Sequence, residues 1–215
     1  MSNYTRYLCI HPIDKTTDFL LPVGKIFGDD YYRIDTKGFD LINFLENLEE
    51  GKKLIIFLGH GTRSYLCASE PNQRDVFINV ENGVQIFKNN DIVIVSCYSS
   101  TFLDKINSFN NGIGFGNIIS SIEERNAEAE SITSIYRNLS EKDIELSNLS
   151  FTNSLTKTFD LLLNKKIEFY QFKDYLTFYL NQEIGTILSI KEKENRKEIA
   201  KLLFEIRNEL EFLTN

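Results

Sequence analysis

The sequence predicts an α/β fold of three layers, with a mostly parallel sheet, helices on both of its faces and a helical C-terminal portion. Two continuous apolar runs, at 54–58 and 92–95, have the composition of central parallel strands that are buried on both faces. Strand-like and helix-like segments alternate around these runs over the first two-thirds of the chain, which is typical of βαβ units. The last third carries apolar residues at helical spacing.

Two strands and a helix are predicted before the first core run. An apolar segment at 7–10 predicts the first strand, and residues 30–34, which are rich in β-formers, predict a second, peripheral one. A helix should follow, with Thr36 as its N-cap and Gly51 as its left-handed C-terminal cap. Its apolar face is formed by Leu41, Ile42, Leu45 and Leu48.

Smaller elements surround the second core run. Residues 63–68 and 76–80 can pair as a hairpin, and a short helix is expected around 84–87. After the core strand, the spacing at 103–106 suggests another short helix. A final strand is predicted over 112–116, where glycines permit close approach of the backbone.

The C-terminal part combines an acidic segment with helices. Residues 120–150 are polar and acidic, so we expect either a helical but solvent-facing segment or a mobile connection. Beyond it, three sets of residues show helical spacing: Leu155, Phe159, Leu162 and Leu163; Phe169, Phe172, Leu176 and Tyr179; and Ile199, Leu202, Leu203, Ile206, Leu210 and Leu213. We therefore expect one domain over 1–215, with a sheet core (1–117) and an acidic connection with C-terminal helices (118–215).

Composition and charge limit the partners that can be expected. A net charge of -7 argues against a surface that follows nucleic-acid phosphates. The longest apolar runs are far shorter than the roughly 20 residues of a membrane span. The N-terminal residues show no pattern of a signal peptide, so we expect a cytoplasmic protein. Its three cysteines form no CxxC pair and should be free thiols, and neither a metal nor another cofactor is expected.

A histidine and a cysteine follow the two predicted core strands. His60 comes after the run at 54–58, and Cys97 comes after the run at 92–95. In open parallel sheets ligands bind outside the carboxyl ends of the strands, where these two side chains can meet. A thiolate is a competent nucleophile, and an imidazole can take its proton and later protonate a leaving amine. His60 and Cys97 are therefore the candidate catalytic residues.

Gly61 is the candidate for a second role at this edge. Without a side chain it lets a substrate carbonyl approach. Its backbone N–H and that of Cys97 could then form an oxyanion hole. The alternative without catalysis is that Cys97 packs as a small apolar residue at the end of a buried strand and that His60 has a structural role.

The other two cysteines and the other histidine are weaker candidates for catalytic residues. Cys9 lies in the first predicted strand and Cys67 in the hairpin, so both should be packing residues. His11 precedes Pro12, and because proline cannot continue a central ladder, the pair indicates the end of the strand and a turn.

The two strand-end motifs resemble those of the caspase-like cysteine peptidases, which include caspases, metacaspases, separase, clostripain and bacterial CHAT-domain proteases. The matching segments read Phe57-Leu58-Gly59-His60-Gly61 and Ile92-Val93-Ile94-Val95-Ser96-Cys97. The order of elements also agrees from about residue 7 to residue 116, roughly half of the chain. The resemblance implies a flavodoxin-like, three-layer caspase-like fold with His60 and Cys97 as its dyad.

Departures from the family pattern favour a compact, CHAT-like member. The sequence Ser96-Cys97-Tyr98-Ser99 is not the Gln-Ala-Cys-x-Gly signature of animal caspases. Ser96 stands where many metacaspases have aspartate, so the residue preference of the substrate pocket is open. Five charged residues could supply an acidic or a basic pocket: Asp14, Asp18, Arg63, Glu123 and Glu124.

Two classes of function follow. The leading hypothesis is a cysteine endopeptidase that cleaves a specific protein or peptide substrate, in bacterial defence or regulated cell death, with a regulatory protein partner and without nucleic acid or membrane. The alternative is a non-catalytic flavodoxin-like interaction module whose apolar C-terminal helices dock a partner. A different thiol chemistry, such as acyl transfer, is a third hypothesis.

Overall fold

The computed structural model describes residues 4–48, 50–70, 75–131 and 136–215. Within them the strands are Arg6–Pro12 (β1), Tyr31–Ile34 (β2), Lys53–Leu58 (β3), Tyr65–Cys67 (β4), Val76–Asn79 (β5), Asp91–Val95 (β6), Asn111–Gly114 (β7) and Glu211–Thr214 (β8). The α-helices are Leu21–Lys25 (α1), Leu41–Glu46 (α2), Val80–Ile86 (α3), Ser99–Ile106 (α4), Ile122–Ser131 (α5), Glu141–Leu163 (α6), Phe172–Ser189 (α7) and Arg196–Asn208 (α8). Short 3₁₀ helices span Lys15–Leu20, Gly28–Asp30 and Phe169–Gln171.

A six-stranded, mostly parallel sheet forms the centre, in the order β2-β1-β3-β6-β7-β8. The pairs from β2 to β7 are parallel, and β8 is antiparallel to β7. Strands β3 and β6 pair in a register that runs from Leu54 opposite Asp91 to Leu58 opposite Val95. The predicted hairpin is confirmed as a separate antiparallel pair of β4 and β5.

Helices cover both faces of the sheet, which confirms the predicted α/β class. Alternate residues of a strand point to opposite faces. Leu54, Ile56 and Leu58 pack in the core that includes buried residues of α1, α6, α7 and α8. Ile55 and Phe57 pack in the second core, with buried residues of α2, α3 and α4. The continuous apolar run at 54–58 therefore reflects a strand that is buried on both faces, as does the run at 92–95.

Helix α2 is shorter than predicted and has different caps. Its N-cap is Asp40, whose carboxylate accepts a hydrogen bond from the N–H of Asn43 at 3.0 Å, and its C-cap is Asn47. The prediction of Thr36 and Gly51 as caps is wrong. The N–H of Thr36 instead donates to the hydroxyl of Ser69 at 3.0 Å. Asp40 takes the cap position because it directly precedes the first helical apolar residue.

The acidic segment contains helix α5 and the start of helix α6, and one face of α6 is buried. Helix α6 begins with a capping box between Ser140 and Asp143, and its side chains at Asp143 and Ile144 are buried. Burial alone would raise the pKa of Asp143, but hydrogen bonds from Lys193, Ser140 and Asn195 hold that pKa well below its ordinary value. The alternative of a mobile connection is wrong for 141–150, because an amphipathic face there joins the core.

The C-terminal residues form an edge strand of the sheet instead of extending a helix. Helix α8 ends at Asn208, and β8 pairs with β7 from Asn111 opposite Thr214 to Gly114 opposite Glu211. The prediction that Leu210 and Leu213 continue the helical stripe is therefore wrong, because both lie beyond the end of α8. The prediction that the strand at 112–116 is the last is also wrong. The sheet extends beyond residues 1–117.

Helix α3 begins earlier than predicted, at Val80. Asn79 is its N-cap and accepts a hydrogen bond from the N–H of Asn82 at 2.9 Å, so the helix follows β5 directly. Over the described ranges, no helix combines the length and the apolar character that crossing a membrane requires.

Truncation of Phe159 should lower the free energy of unfolding by about 3–5 kcal/mol. The side chain is fully buried in α6, with ring centroids 5.3 Å from Phe27 and 4.8 Å from Phe172. Phe178→Ala is the matched control, because Phe178 on α7 is 53% exposed, and should cost about 0.5 kcal/mol or less. Urea unfolding measures both. Equal losses in the two variants would contradict the packing of α6.

Candidate active site

Strands β3 and β6 bring His60 and Cys97 to one pocket. Their parallel pairing continues one step past the strands, because the N–H of Gly59 donates to the carbonyl of Val95 at 3.1 Å. The same pocket is lined by His60, which follows β3, and by Ser96 and Cys97, which follow β6. The two predicted catalytic side chains are thus brought together at the carboxyl edge of the sheet.

A tight strand–turn–helix places Cys97. The residue after it, Tyr98, has left-handed backbone angles (φ 55°, ψ 23°), and α4 starts at Ser99. The turn is fixed by the N–H of Tyr98, which donates to the carbonyl of Gly116 at 2.7 Å. The hydroxyl of Ser99 donates to the carbonyl of Ile94 at 2.7 Å and accepts from the N–H of Phe115 at 2.8 Å. The N-terminus of α4 therefore follows Cys97 directly in the chain.

Cys97 is the most accessible of the three thiols. It is partly exposed, whereas Cys9 and Cys67 are buried. Burial raises the pKa of Cys9 well above its ordinary value, and burial together with the charge of Asp14 raises the pKa of Cys67 to about 11. The Cys97 thiol donates to the carbonyl of Ile118 at 3.2 Å. The structural prediction for Cys9 and Cys67 agrees with their burial.

The imidazole of His60 lies between two carboxylates. Its Nδ1 is 3.7 Å from Oε1 of Glu124, and its Nε2 is 3.6 Å from Oδ2 of Asp14. The same Nε2 is 2.6 Å from the hydroxyl of Thr16. The ring is partly exposed, with 23% of its side-chain surface accessible. Each ring nitrogen therefore has a carboxylate oxygen within 4 Å.

The packing around Gly61 leaves no room for a side chain. A Cβ at this position would lie 2.5 Å from the hydroxyl oxygen of Ser96 and 3.2 Å from Cδ2 of Leu66. The flanking hydrogen bonds, from Cys67 N–H to His60 O (3.0 Å) and from Thr62 N–H to Tyr65 O (2.8 Å), do not use the N–H of Gly61. The oxyanion-hole role of Gly61 and Cys97 stays a prediction.

The five charged candidates for a substrate pocket lie in different places. Asp14 and Glu124 contact His60, whereas Asp18 pairs with Arg33. The guanidinium of Arg63 lies 5.0 Å from the centre of the Tyr98 ring. Glu123 lines a neighbouring cavity together with Glu141 and Glu145. Of the five alternatives, Asp14 and Glu124 are therefore the ones recorded within 4 Å of the His60 ring.

His11 is a buried structural residue. It lies within β1, which continues to Pro12 and pairs there with Ile34 of β2, so the predicted end of the strand before His11 is wrong. Beyond Ile10 only β2 pairs with β1, so a proline is tolerated at that strand end. The ring contacts the hydroxyls of Tyr31 at 2.9 Å and Thr17 at 3.0 Å. Burial, with the nearby Arg33 charge, lowers the pKa of His11 to about 4 against the opposing effect of Asp18 and Asp14.

Two contacts of the pair were absent from the sequence prediction. They are the hydroxyl of Thr16 at His60 and the carbonyl of Ile118 at Cys97. Thr16 follows β1 in the sequence Asp14-Lys15-Thr16, and the carboxyl end of β1 lies beside that of β3. An Asp two residues before a Thr at a strand end is a turn and N-cap pattern, so this signal could have indicated a polar loop at the same edge.

No family model and no curated protein matches the chain in sequence. The resemblance to caspase-like peptidases therefore stands on the His60 and Cys97 motifs and remains a prediction.

Gly61→Ala should destabilise the protein by about 1–3 kcal/mol, because the new methyl group overlaps the Ser96 hydroxyl. Adding Ser96→Ala should recover part of this loss. Gly185→Ala is the control, since a Cβ there meets nothing within 4 Å, and it should be neutral or stabilising by up to about 1 kcal/mol. Urea unfolding measures all four proteins. If Gly61→Ala were as harmless as Gly185→Ala, the close contact with Ser96 would be wrong.

His11 should make stability fall as the pH falls from about 6.5 to about 4. Between these values the unfolded chain binds a proton that the buried folded ring does not, so the loss should reach about 3 kcal/mol. Above that window His11 adds no pH dependence. His11→Gln should remove this part of the slope, while His60→Gln should keep it. Unfolding free energies at a series of pH values test this, and identical slopes in wild type and His11→Gln would contradict it.

Proposed function

We propose that this protein is a cysteine peptidase in which Cys97 is the nucleophile and His60 is the base. The observation that carries the proposal is the shared pocket: a partly exposed thiol and a partly exposed imidazole follow two paired core strands, while the other two thiols are buried. Both side chains lie where open parallel sheets bind their ligands.

The proposed reaction proceeds through a thioester. His60 takes the proton of Cys97, and the sulfur attacks the carbonyl carbon of a peptide bond. The N–H groups of Gly61 and Cys97 would stabilise the resulting oxyanion. The tetrahedral intermediate collapses as the C–N bond breaks, and His60 gives its proton to the leaving amine. Water then attacks the thioester carbon as His60 takes a proton from it. The C–S bond breaks to release the acid product, and His60 returns the proton to the sulfur, which regenerates the thiol.

The motif resemblance supports a specific protein substrate. It also supports a role in bacterial defence or regulated cell death, under control of a protein partner. The net charge of -7 weighs against nucleic acid as a ligand. We place the protein in the cytoplasm, since three cysteines without pairing are compatible with a reducing compartment.

A non-catalytic interaction module is the second candidate. It is favoured by exposed aromatic side chains on the C-terminal helices, namely Phe178 on α7 (53% exposed) and Phe204 on α8 (43% exposed). Exposed apolar side chains of this size can take part in contacts with other proteins. The two candidates differ in what they require of Cys97, because only the peptidase needs a reactive thiol.

Alkylation kinetics test the peptidase proposal. With iodoacetamide at neutral pH, Cys97 should react about 100-fold faster than Cys9 and Cys67, because burial keeps those two as thiols. His60→Gln should slow Cys97 by about 10-fold or more. Peptide mass spectrometry gives the three rates separately. Equal rates at all three cysteines, or no effect of His60→Gln, would overturn the proposal.

Cleavage of a peptide library separates the remaining outcomes. New termini that appear with wild type and disappear with Cys97→Ala support a peptidase. Transfer of the acyl group to an added amine without hydrolysis would indicate acyl transfer. Full retention of the library with both proteins would favour the interaction module.

A further inference from the structure

We propose that Thr16 and Asp14 form a relay that fixes the tautomer and the orientation of His60, so that Nδ1 is the ring nitrogen left to accept a proton. The inference rests on the proposed function and names two positioning residues for it. Both lie in the segment that follows β1, next to the strand that delivers His60.

The relay is a chain of short hydrogen bonds. Oδ1 of Asp14 accepts from the N–H of Thr16 at 2.8 Å and from its hydroxyl at 2.7 Å. The same hydroxyl oxygen is 2.6 Å from Nε2 of His60. Asp14 is only 2% exposed, so the chain runs from a buried carboxylate to the partly exposed imidazole.

The direction of these bonds assigns the proton on the ring. A threonine hydroxyl has one hydrogen, and an ionised carboxylate can only accept. Since the Thr16 hydrogen points to Asp14, its oxygen must accept from His60, and Nε2 must carry the hydrogen. In the neutral ring Nδ1 then has a free lone pair, which is the form that a base needs.

The second oxygen of the Asp14 carboxylate also lies close to the His60 ring. Among the described residues, Oδ2 has no hydrogen-bond partner, although it is buried, and it lies 3.6 Å from Nε2 of His60. When Nδ1 gains a proton the ring becomes a cation, and the Asp14 carboxylate stabilises it from the Nε2 side. Glu124 faces the ring from the Nδ1 side.

Buried contacts hold the relay in place. Asp14 is the N-cap of the 3₁₀ helix Lys15–Leu20, and its carbonyl accepts from the N–H of Thr17 at 3.3 Å. Thr17 in turn contacts His11, which is fully buried in β1. The position of Thr16 is thus fixed by the sheet itself, as the orientation of a catalytic imidazole requires.

Capping alone does not account for this geometry. The cap bond from the N–H of Thr16 uses one oxygen of Asp14 and needs no hydroxyl at residue 16. Asparagine is an equally good N-cap, so Asp14→Asn keeps the cap and removes the charge. Thr16→Val removes the hydroxyl at nearly constant shape, and Thr16→Ser restores it.

The test measures the tautomer and the thiol reactivity of the full chain. Nitrogen-15 NMR of histidine-labelled protein reports which ring nitrogen of His60 carries the hydrogen, with the signal assigned by its loss in His60→Gln. The rate of Cys97 alkylation by iodoacetamide, followed against pH, reports the coupling to the thiol. Circular dichroism verifies that each variant is folded. If Thr16→Val does not fold, Asp14→Asn takes its place as the relay variant.

We expect the Nε2–H tautomer in wild type and in Thr16→Ser, and a mixture of tautomers in Thr16→Val. Alkylation of Cys97 should slow by about 10-fold in Thr16→Val and in Asp14→Asn, the scale found for partners that orient histidine ligands, and should change by less than about 2-fold in Thr16→Ser. An Nδ1–H tautomer in wild type would overturn the relay. So would spectra and pH profiles that are identical in wild type and both relay variants.

The two proposals can fail separately. If wild-type Cys97 reacts no faster than the buried cysteines, the peptidase proposal fails. The NMR spectra then still decide the relay, because the tautomer of His60 and its change in Thr16→Val do not depend on a reactive thiol.

Discussion

The parallel pairing of β3 with β6 is the constraint on which the candidate site depends. Its last pair, Leu58 opposite Val95, sets where both segments leave the sheet, and a shift of one residue would turn the following side chains to opposite faces. The register is held at the other end by Asp91. This buried carboxylate accepts hydrogen bonds from Tyr4 at 2.6 Å and Asn111 at 2.8 Å and pairs with Lys52 at 2.7 Å. Its partners lie on three different segments, so they specify one alignment of the strands as well as satisfying a buried charge.

Four neighbouring strands each contribute to the site at their carboxyl ends. The segment after β1 supplies Asp14 and Thr16, the segment after β3 supplies His60, and the segment after β6 supplies Cys97. Ile118 follows β7 and accepts from the thiol. The spatial order β1-β3-β6-β7 is also the chain order, so each of these segments lies beside the next one, and the segment after β7 also reaches His60 through Glu124. The site is thus a direct consequence of adjacent parallel strands, and it needs no long insertion.

Sequence patterns predicted the parts of the fold that depend on burial and missed those that depend on tertiary contacts. Strands β3 and β6 were predictable because a strand buried on both faces reads as a continuous apolar run. Strand β8 was not, because Leu213 also fits the helical spacing of the preceding residues and only pairing with β7 decides between the two. The location of His60 and Cys97 in one pocket was predictable from their position after core strands. The contact of Thr16 with His60 was not, because 44 residues separate them in the chain.

The segment after β7 affects both members of the pair. The carbonyl of Ile118 accepts from the Cys97 thiol, and a hydrogen bond of this kind favours the neutral thiol over the thiolate. Glu124, held by the N–H and hydroxyl of Ser120, faces Nδ1 of His60 at 3.7 Å. The proposed transfer of the Cys97 proton to His60 would break the S–H···O bond to Ile118. It would form an imidazolium that lies between the carboxylates of Asp14 and Glu124.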